Sequence, residues 1–340
     1  MISSKYKNLL DKNCTFEELN PRDSKIFKIV KNYCEKYNVN TIVISLSGGV
    51  DSMVIAYCAS FLGKKVIGGH MNYGNREETA LEEEFVRLWC KNRGIEFELL
   101  DFGIKRTKES RDEYEKETRK MRYDFYKHLI EKYDANGIFL GHHLNDVAEN
   151  TFCNIVHGRS LLDLSVIRET SVVLGVNIYR PFRDIPKSMI YEFAHNYGVP
   201  YFKDTTPDWS NRGKLRRVIF PQIEDTFEKQ FQMKLYQIAK QSDELQSIIR
   251  KLVIEPALKR CEVKEDGIVI VMDDNMRNMG DTYWMILMQE LMHSNGRSMP
   301  KHNVIKEMVV RLAKNVNFRM DFKKGEIMVV TGNIMCVKNK

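Results

Sequence analysis

One stretch of the chain, residues 41–62 (TIVISLSGGVDSMVIAYCASFL), constrains the fold more than any other. Its first four residues, 41–44, are apolar or β-branched and predict a buried strand. From Met53 onward the apolar spacing is typical of a helix. The residues between them predict a tight turn that joins the strand to the helix. They are Ser47, Gly48, Gly49, Val50, Asp51 and Ser52.

A strand, a glycine turn and a helix N-terminus together make an anion site. Backbone N–H groups at the start of a helix have no intrahelical partner, and the helix dipole adds positive potential there. Glycines let an anion approach the backbone, and serine hydroxyls add donors. Asp51 repels a phosphate unless a divalent cation such as Mg²⁺ joins the two. The alternative is that the turn is ordinary and that Asp51 and Ser52 only cap the helix.

Strands and helices alternate along the first part of the chain. Further strands are predicted at 65–71, 95–100 and 137–140, and helices at 25–37, 77–92 and 109–133. This spacing is that of βαβ units, and it predicts an α/β fold with a doubly wound parallel sheet. In such a sheet, ligands bind at the carboxyl ends of the strands. We therefore expect 47–52, 70–73 and 141–146 to meet at one edge.

The turn at 47–52 contains neither G-x-x-x-x-G-K-[ST] nor G-x-G-x-x-G, the common nucleotide motifs. It resembles the SGGxDS signature of the PP-loop, or N-type, ATP pyrophosphatases. The resemblance implies an adenine nucleotide α-hydrolase-like fold and cleavage of ATP between its α- and β-phosphates, with the adenylate activating a carbonyl oxygen. It also implies that ATP and Mg²⁺ are the cofactors, that the loop binds the pyrophosphate and that Asp51 binds the metal.

A second motif, GHHLNDVAEN at 141–150, narrows the resemblance. It resembles the H-x-x-D-D-x-x-E-T segment of the tRNA(Ile)-lysidine synthetases, with Asn145 in place of the first Asp and Asn150 in place of the Thr. In that family the segment helps to position ATP, magnesium and lysine. The resemblance implies that Asp146 contacts lysine and that Glu149 shares the Mg²⁺. The alternative is that Asp146 is a helix N-cap and Glu149 its capping-box partner.

Two further elements resemble the same family. The helical segment RKMRY is similar to its A-R-x-x-R-Y signature and places Arg119 and Arg122 on one helix face. There Arg122 could stabilise phosphate charge, although a solvated charged face is the alternative. The segment HMNYGNR, which begins at His70, is similar to the H-v-x-H-g-l-R element, with Tyr73 in place of the second His. The resemblance implies that the main chain beside His70 frames the adenine, so we expect His70 in the ATP site. The alternative is that His70 is a packed strand residue.

Later motifs add a basic cluster. The series RPF, Lys187 and KDTTP resembles the family's R-P-L-L…K…D-x-[ST]-N, with Pro207 in place of the Asn. The segment RGKLRRVIFP at 212–221 resembles R-N-x-[IL]-R-x-x-[IL]-[IL]-P, with Gly213 in place of the Asn. Such cations suit tRNA phosphates, although a charged run can also be a solvated face. The residues expected to bind tRNA are Arg119, Arg212, Lys214, Arg216 and Arg217.

Length and composition set the domain organisation. The chain has 340 residues, which favours two domains and a connector. We expect a catalytic domain at 1–221, a helical connector at 222–260 and a small α+β domain that contacts tRNA at 261–340. The net charge of +7 is compatible with an anionic partner or with a lysine-rich proteome. The sequence shows no signal peptide and no membrane-length apolar run, so we expect a cytoplasmic protein.

Taken together, the resemblance implies that ATP adenylates the C2 carbonyl oxygen of the wobble cytidine in a CAU-anticodon tRNA(Ile), and that free L-lysine then displaces AMP to give lysidine. A tRNA 2-thiolation enzyme is an alternative, for which Cys153 is the residue to consider, although the seven cysteines include no C-x-x-C pair. A tRNA-binding homologue without catalysis is another. The partners expected are this tRNA and lysine, with no membrane, and a homodimer stays open. The sequence does not identify the group that accepts the proton of the lysine amine.

Overall fold

The computed structural model describes residues 4–14, 19–74, 78–102, 111–204, 206, 208, 210–227, 229–264 and 267–340. The chain divides into two compact units, residues 1–242 and 243–340. The division falls inside the segment 222–260, which the sequence predicts to be a connector. The predicted domain boundaries therefore stay a prediction. No helix in the described residues is both long and apolar enough to cross a membrane.

The first unit contains a six-stranded sheet. Its strands are β1 (Thr41–Ser45), β2 (Lys65–Asn72), β3 (Glu96–Asp101), β4 (Ile138–Phe139), β5 (Thr170–Val173) and β6 (Val176–Tyr179). They lie in the order β3-β2-β1-β4-β6-β5, and all neighbours are parallel except the edge pair of β5 and β6. The order reverses direction at β1, which is where a doubly wound sheet binds its ligand. The predicted fold class is confirmed.

Helices connect the strands of the first unit. They are α1 (Lys25–Lys36), α2 (Val50–Ser60), α3 (Thr79–Asn92), α4 (Arg111–Lys132), α5 (Leu144–Val156), α6 (Lys187–Asn196), α7 (Asn211–Lys214), α8 (Phe220–Thr226) and α9 (Phe231–Ile249), which runs past the division. The helix α2 is apolar on every side, and Met53 to Ala59 are fully buried. An apolar helix of this kind must lie in the core, and its burial fixes the position of the loop before it.

The hairpin of β5 and β6 is a feature that the sequence does not predict. Its turn consists of Leu174 and Gly175, both with positive φ (50° and 79°). Asn-Gly or Asp-Gly is the usual pair for such a turn, because leucine rarely adopts a left-handed backbone. The pair Leu-Gly therefore carries little hairpin signal, and the segment looks irregular from its sequence.

The second unit has its own sheet and core. Its strands are β7 (Cys261–Lys264), β8 (Gly267–Val271), β9 (Phe318–Lys323), β10 (Glu326–Thr331) and β11 (Ile334–Asn339), in the antiparallel order β7-β8-β11-β10-β9. Its helices are α10 (Glu255–Leu258), α11 (Asp274–Arg277), α12 (Asp281–Ser294) and α13 (His302–Ala313). Trp284, Met288 and Phe322 are fully buried between sheet and helices. Antiparallel strands and helices on one core make this unit an α+β fold, the class that the sequence predicts for 261–340.

Two π-helical segments interrupt the helical region. They span Leu215–Ile219 and Arg250–Ile254, and a proline follows each within two residues. Pro221 and Pro256 have no N–H to donate, and a proline ring collides with the carbonyl four residues earlier. A wider helical turn relieves that collision. The first of these segments carries Arg216, a residue of the candidate site.

Candidate active site

The loop between β1 and α2 has the geometry of an anion cradle. Gly48 has a φ of +80°, which bends the backbone sharply and favours glycine. Phe202 N–H donates to the Gly48 carbonyl at 2.9 Å and closes one side. The Ser47 and Ser52 hydroxyl oxygens lie 3.2 Å apart, and the Gly49 N–H donates to the Ser47 Oγ at 3.3 Å. The loop is thus braced by its own serines.

The N-terminus of α2 lies open to this loop. Its N-cap is Gly49, which has no side chain to accept hydrogen bonds from the first turn. The N–H groups of a first helical turn that lack such a cap are available to an anion. The sequence prediction of an anion site at 47–52 is consistent with this arrangement.

Gly48→Ala is expected to weaken ATP binding about ten-fold and to lower the free energy of unfolding by about 2 kcal/mol. An added Cβ would lie 2.1 Å from Cε2 of Phe202, and the left-handed backbone is strained for alanine. The matched control is Gly63→Ala, because Gly63 also has a positive φ (+67°) but no described atom meets its Cβ within 4 Å. Calorimetric titration should show the loss of affinity in the first variant only. Equal losses in both variants would contradict the collision argument.

Asp51 is the charged centre of the loop. Its Oδ2 accepts a hydrogen bond from Lys187 Nζ at 2.7 Å, and its Oδ1 lies 3.9 Å from His143 Nε2. Within the described residues Oδ1 is buried and accepts no hydrogen bond. A buried carboxylate oxygen without a donor suits a cation, and Mg²⁺ usually takes one or two carboxylates together with substrate phosphates. Asp51 therefore fits the predicted metal ligand. No group of three or more His, Cys, Asp or Glu side chains across the described ranges could hold a metal alone.

Two cavities adjoin the loop and share Ser47, Asp51 and Glu82. The smaller one, about 480 Å³, lies towards β2 and α4. Within it His70 Nδ1 lies 2.8 Å from the Leu46 carbonyl, which can only accept, so Nδ1 carries the proton and Nε2 is an acceptor. Burial lowers the pKa of His70, which keeps the ring neutral. His70 therefore presents a neutral acceptor to a cavity that Asp51, Glu82 and Arg122 also line.

Arg122 reaches the smaller cavity, whereas Arg119 does not line it. Arg122 donates to the Tyr73 hydroxyl at 2.9 Å, and the Tyr73 ring stacks on Phe102 at 4.3 Å between centroids. Arg119 is exposed and lies over the ring of Tyr123. The tyrosine that replaces the expected histidine thus orients Arg122. The two arginines that the sequence places on one helix face have different surroundings.

His142 is held neutral beside this cavity. Arg180 is buried and donates through Nε to His142 Nδ1 at 3.1 Å, so the imidazole proton must be on Nε2. Burial lowers the pKa of His142 to about 4. Arg180 also donates to the Arg168 carbonyl at 2.8 Å and the Ser171 hydroxyl at 2.9 Å. Arg180 therefore supports His142 and the β5 edge, a role that the sequence motif does not reveal.

The larger cavity, about 670 Å³, is lined by Glu149 of α5, and Asp146 lies one helical turn before Glu149. The helix begins at Leu144, with His143 as N-cap, and the His143 N–H donates to Asp146 Oδ2 at 3.1 Å. Asp146 is thus the third residue of the helix and not its N-cap, because the helix begins three residues earlier than in the alternative considered from the sequence. Asp146 and Glu149 are both buried.

Arg216 binds both of these carboxylates. Its NH2 donates to Asp146 Oδ1 at 3.1 Å and to Glu149 Oε2 at 3.1 Å, and its Nε donates to Glu149 Oε1. Burial raises the pKa of Glu149, and Arg216 opposes that rise. Both Glu149 oxygens accept from Arg216, whereas Asp51 Oδ1 accepts from no donor in the described residues. The geometry favours Asp51 over Glu149 as the Mg²⁺ ligand.

The other basic residues predicted at tRNA lie outside this cavity. Arg212, Lys214 and Arg217 are exposed, with Arg217 paired to Asp208 and Arg212 3.7 Å from Glu149. Arg216 differs, because its side chain is 29% exposed and points at the carboxylates. The sequence predicts that all four residues of this cluster bind tRNA, whereas in the structure Arg216 contacts the buried carboxylates of α5. Asn75, Arg76, Thr205 and Pro207, which belong to the motifs, lie outside the described residues.

Gly141 and Asn145 hold parts of the candidate site together, and the sequence singles them out only weakly. A Cβ on Gly141 would lie 2.8 Å from Asp51 Cβ and 3.1 Å from the Ser52 nitrogen, so only glycine lets the two loops meet. Asn145 bonds to α6 and α9. The signal for Gly141 is its place directly after β4. The contacts of Asn145 cannot be predicted in this way, because its partners Lys187 and Gln232 are remote in sequence.

Comparisons with known proteins agree with this geometry. Residues 21–223 match the PP-loop domain family. A tRNA(Ile)-lysidine synthase of Chlamydia felis is 27% identical over 296 residues, which cover 86% of this chain and 92% of that protein. A tRNA(Ile)-lysidine synthase of Chlamydia caviae is 30% identical over 240 residues, which cover 70% of this chain and 74% of that protein.

A solved structure shares the fold. It is the U34-tRNA thiolase NcsA from Methanococcus maripaludis with its [4Fe-4S] cluster, which matches with a TM-score of 0.52 and 17% sequence identity. The match covers 66% of this chain and 79% of that one, and at this identity it concerns the fold alone. The family match over most of the catalytic region and the identity to the chlamydial enzymes lead to one conclusion: the chain belongs to the PP-loop family and, within it, to the tRNA(Ile)-lysidine synthase family.

Proposed function

We propose that this chain ligates lysine to C2 of the wobble cytidine of a CAU-anticodon tRNA(Ile), cleaving ATP to AMP and pyrophosphate. Family membership supports the proposal. The observation that carries it is the pair of adjoining cavities that share Ser47 and Asp51. Besides these shared residues, the smaller cavity offers the neutral rings of His70 and His142 together with Arg122. The larger cavity offers Glu149 beside Lys187 and Arg216. A nucleotide and a free amino acid therefore have separate places on either side of one loop.

The loop and the smaller cavity would bind ATP. The uncapped N-terminus of α2 and the Ser47 and Ser52 hydroxyls would receive the pyrophosphate oxygens. His70 Nε2, an acceptor, suits the adenine amino group, and Arg122 suits a phosphate oxygen. Asp51 would hold Mg²⁺, which supplies charge neutralisation to the leaving pyrophosphate when bound.

The proposed reaction has two steps. The C2 carbonyl oxygen of cytidine attacks the α-phosphorus of ATP, and the bond from that phosphorus to the pyrophosphate oxygen breaks. The lysine ε-amine then attacks C2, the C–O bond to AMP breaks, and the amine loses a proton. Converting a poor leaving oxygen into an adenylate makes the second step feasible. Asp146 and Glu149 would hold a lysine ammonium, and the buried position of both carboxylates strengthens that attraction.

The exposed cations provide the tRNA surface of this proposal. Arg216 lines the larger cavity, and three exposed cations lie near it in sequence: Arg212, Lys214 and Arg217. Arg119 lies exposed on α4. Contacts of Lys and Arg with phosphates position a nucleic acid without reading its bases. The second unit is the further tRNA contact that we expect. A cytoplasmic location and a homodimer are expectations from the sequence and the family.

Incorporation of labelled lysine tests the function. With ATP, Mg²⁺ and a CAU-anticodon tRNA(Ile) transcript, label should enter the tRNA with one AMP released per lysine. Cys153→Ser should retain the rate within about two-fold, because burial raises the pKa of the Cys153 thiol and leaves it unreactive. A transcript whose wobble cytidine is replaced by uridine is the matched substrate control.

Each outcome separates the candidate functions. Label in the cytidine transcript alone supports lysine ligation. AMP release that needs added sulfide in place of lysine, and that is lost in Cys153→Ser, would replace the proposal with thiolation. Absence of both label and AMP, with tRNA still bound, would favour a binding protein without catalysis.

A further inference from the structure

A chain of hydrogen bonds connects the N-terminus of α6 to α8 through two side-chain amides. The Lys187 N–H donates to Asn145 Oδ1 at 3.0 Å, and Asn145 Nδ2 donates to Gln232 Oε1 at 2.7 Å. Gln232 Nε2 then donates to Glu224 Oε1 at 3.3 Å. Asn145 and Gln232, which we call the amide pair, both line the larger cavity.

The Glu224 carboxylate, at one end of this chain of hydrogen bonds, determines which group donates in each of them. An ionised carboxylate can only accept, so Gln232 must present its amino group to Glu224 and its oxygen to Asn145. Asn145 must then donate to Gln232, which leaves Asn145 Oδ1 for the Lys187 N–H. An aspartate at position 145 has no donor for Gln232. If Gln232 turned round to donate to it, the Gln232 oxygen would face the Glu224 carboxylate.

The amide pair holds the start of the helix that carries Lys187. Helix α6 begins at Lys187, and its N-cap, Pro186, has no side-chain acceptor for the first turn. Asn145 supplies that acceptor from α5. The same Lys187 extends its ammonium to Asp51 at 2.7 Å. The backbone that the amide pair fixes therefore belongs to the residue that meets the aspartate of the loop.

We propose that Asn145 and Gln232 are positioning residues that hold Lys187 against Asp51, and that Glu224 makes a neutral side chain at position 145 necessary in this chain. The proposal goes beyond the motif comparison, in which Asn145 is a departure from an aspartate. It explains that departure by partners on α8 and α9. It rests on the proposed function only in that the loop of Asp51 binds ATP.

The test is a double-mutant cycle on nucleotide affinity. Titration calorimetry with a non-hydrolysable ATP analogue and Mg²⁺ compares wild type with Asn145→Asp, Glu224→Gln and the double variant. Asn145→Asp should weaken binding about ten-fold, and Glu224→Gln alone should change it by less than about two-fold. The double variant should recover to within about three-fold of wild type, because an amide in place of Glu224 lets Gln232 turn round and donate to the aspartate.

Thermal unfolding of the four proteins distinguishes positioning from a structural role. If the double variant recovered its melting temperature but not its nucleotide affinity, the proposal would be overturned. Unchanged affinity in Asn145→Asp would also overturn it, and so would a double variant that binds the nucleotide no more tightly than Asn145→Asp. Lysine and tRNA are absent from this test. The expected affinity pattern in a protein that incorporates no lysine would therefore support the amide pair while counting against the proposed function.

Discussion

Asp51→Asn is expected to slow lysine incorporation and AMP release on the order of 10²–10³-fold. The substitution keeps the shape of the side chain but removes the charge that meets Lys187 at 2.7 Å and the buried oxygen suited to Mg²⁺. An amide in its place would also turn one N–H towards the cation. The measurement is the rate of labelled lysine uptake and of AMP formation at saturating substrates.

A surface substitution of the same kind provides the control. Asp163→Asn removes a carboxylate that pairs with Arg159 at 3.2 Å, with both side chains about half exposed, and should leave the rate unchanged. Raising the Mg²⁺ concentration should recover part of the Asp51→Asn activity if the lost charge is a metal ligand. Wild-type rates in Asp51→Asn would exclude a catalytic role for this carboxylate.

The part of the fold that local chemistry determines is predictable from the sequence. The strand β1 and the helix α2 follow from an apolar run, a glycine turn and helical spacing. The helix predicted at 25–37 is present as α1, and Ser24 caps it by accepting from Phe27 N–H. The strands β5 and β6 are not predictable in this way, because their turn uses Leu174 with a left-handed backbone. The π-helical turn at 215–219 is also hidden, since only Pro221 marks it.

The site was predictable where its residues belong to one motif. Ser47, Asp51, Ser52, His70 and Glu149 line two adjoining cavities at the strand ends, where a doubly wound sheet binds ligands. Contacts between distant motifs were not predictable. Lys187 meets Asp51 because α6 packs against α2, and Arg216 meets Glu149 because the 215–219 turn packs against α5. A charged run such as 212–217 looks uniform in sequence, although packing turns one arginine inward.

Arg216→Met is expected to lower the free energy of unfolding by about 3 kcal/mol at neutral pH. The substitution leaves Asp146 and Glu149 buried without the guanidinium that bonds to both. The control is Arg212→Met, because Arg212 lies on the same segment and 3.7 Å from Glu149 but is 56% exposed. That variant should lose less than about 1 kcal/mol. Urea unfolding of both variants and wild type gives the comparison.

The destabilisation of Arg216→Met should grow with pH. Burial already raises the pKa of Glu149, and loss of Arg216 removes the group that opposes the rise. A carboxyl whose pKa is higher in the folded chain than in the unfolded chain does not lower the free energy of unfolding at a pH below its unfolded pKa, near 4.5. At a pH above its folded pKa, it lowers the free energy of unfolding by the full amount. The gap to wild type should therefore be smaller at pH 5 than at pH 8. Adding Glu149→Gln should remove most of this pH dependence. An equal gap at both pH values would mean that lost packing of the arginine stem, and not an unpaired carboxylate, destabilises the variant.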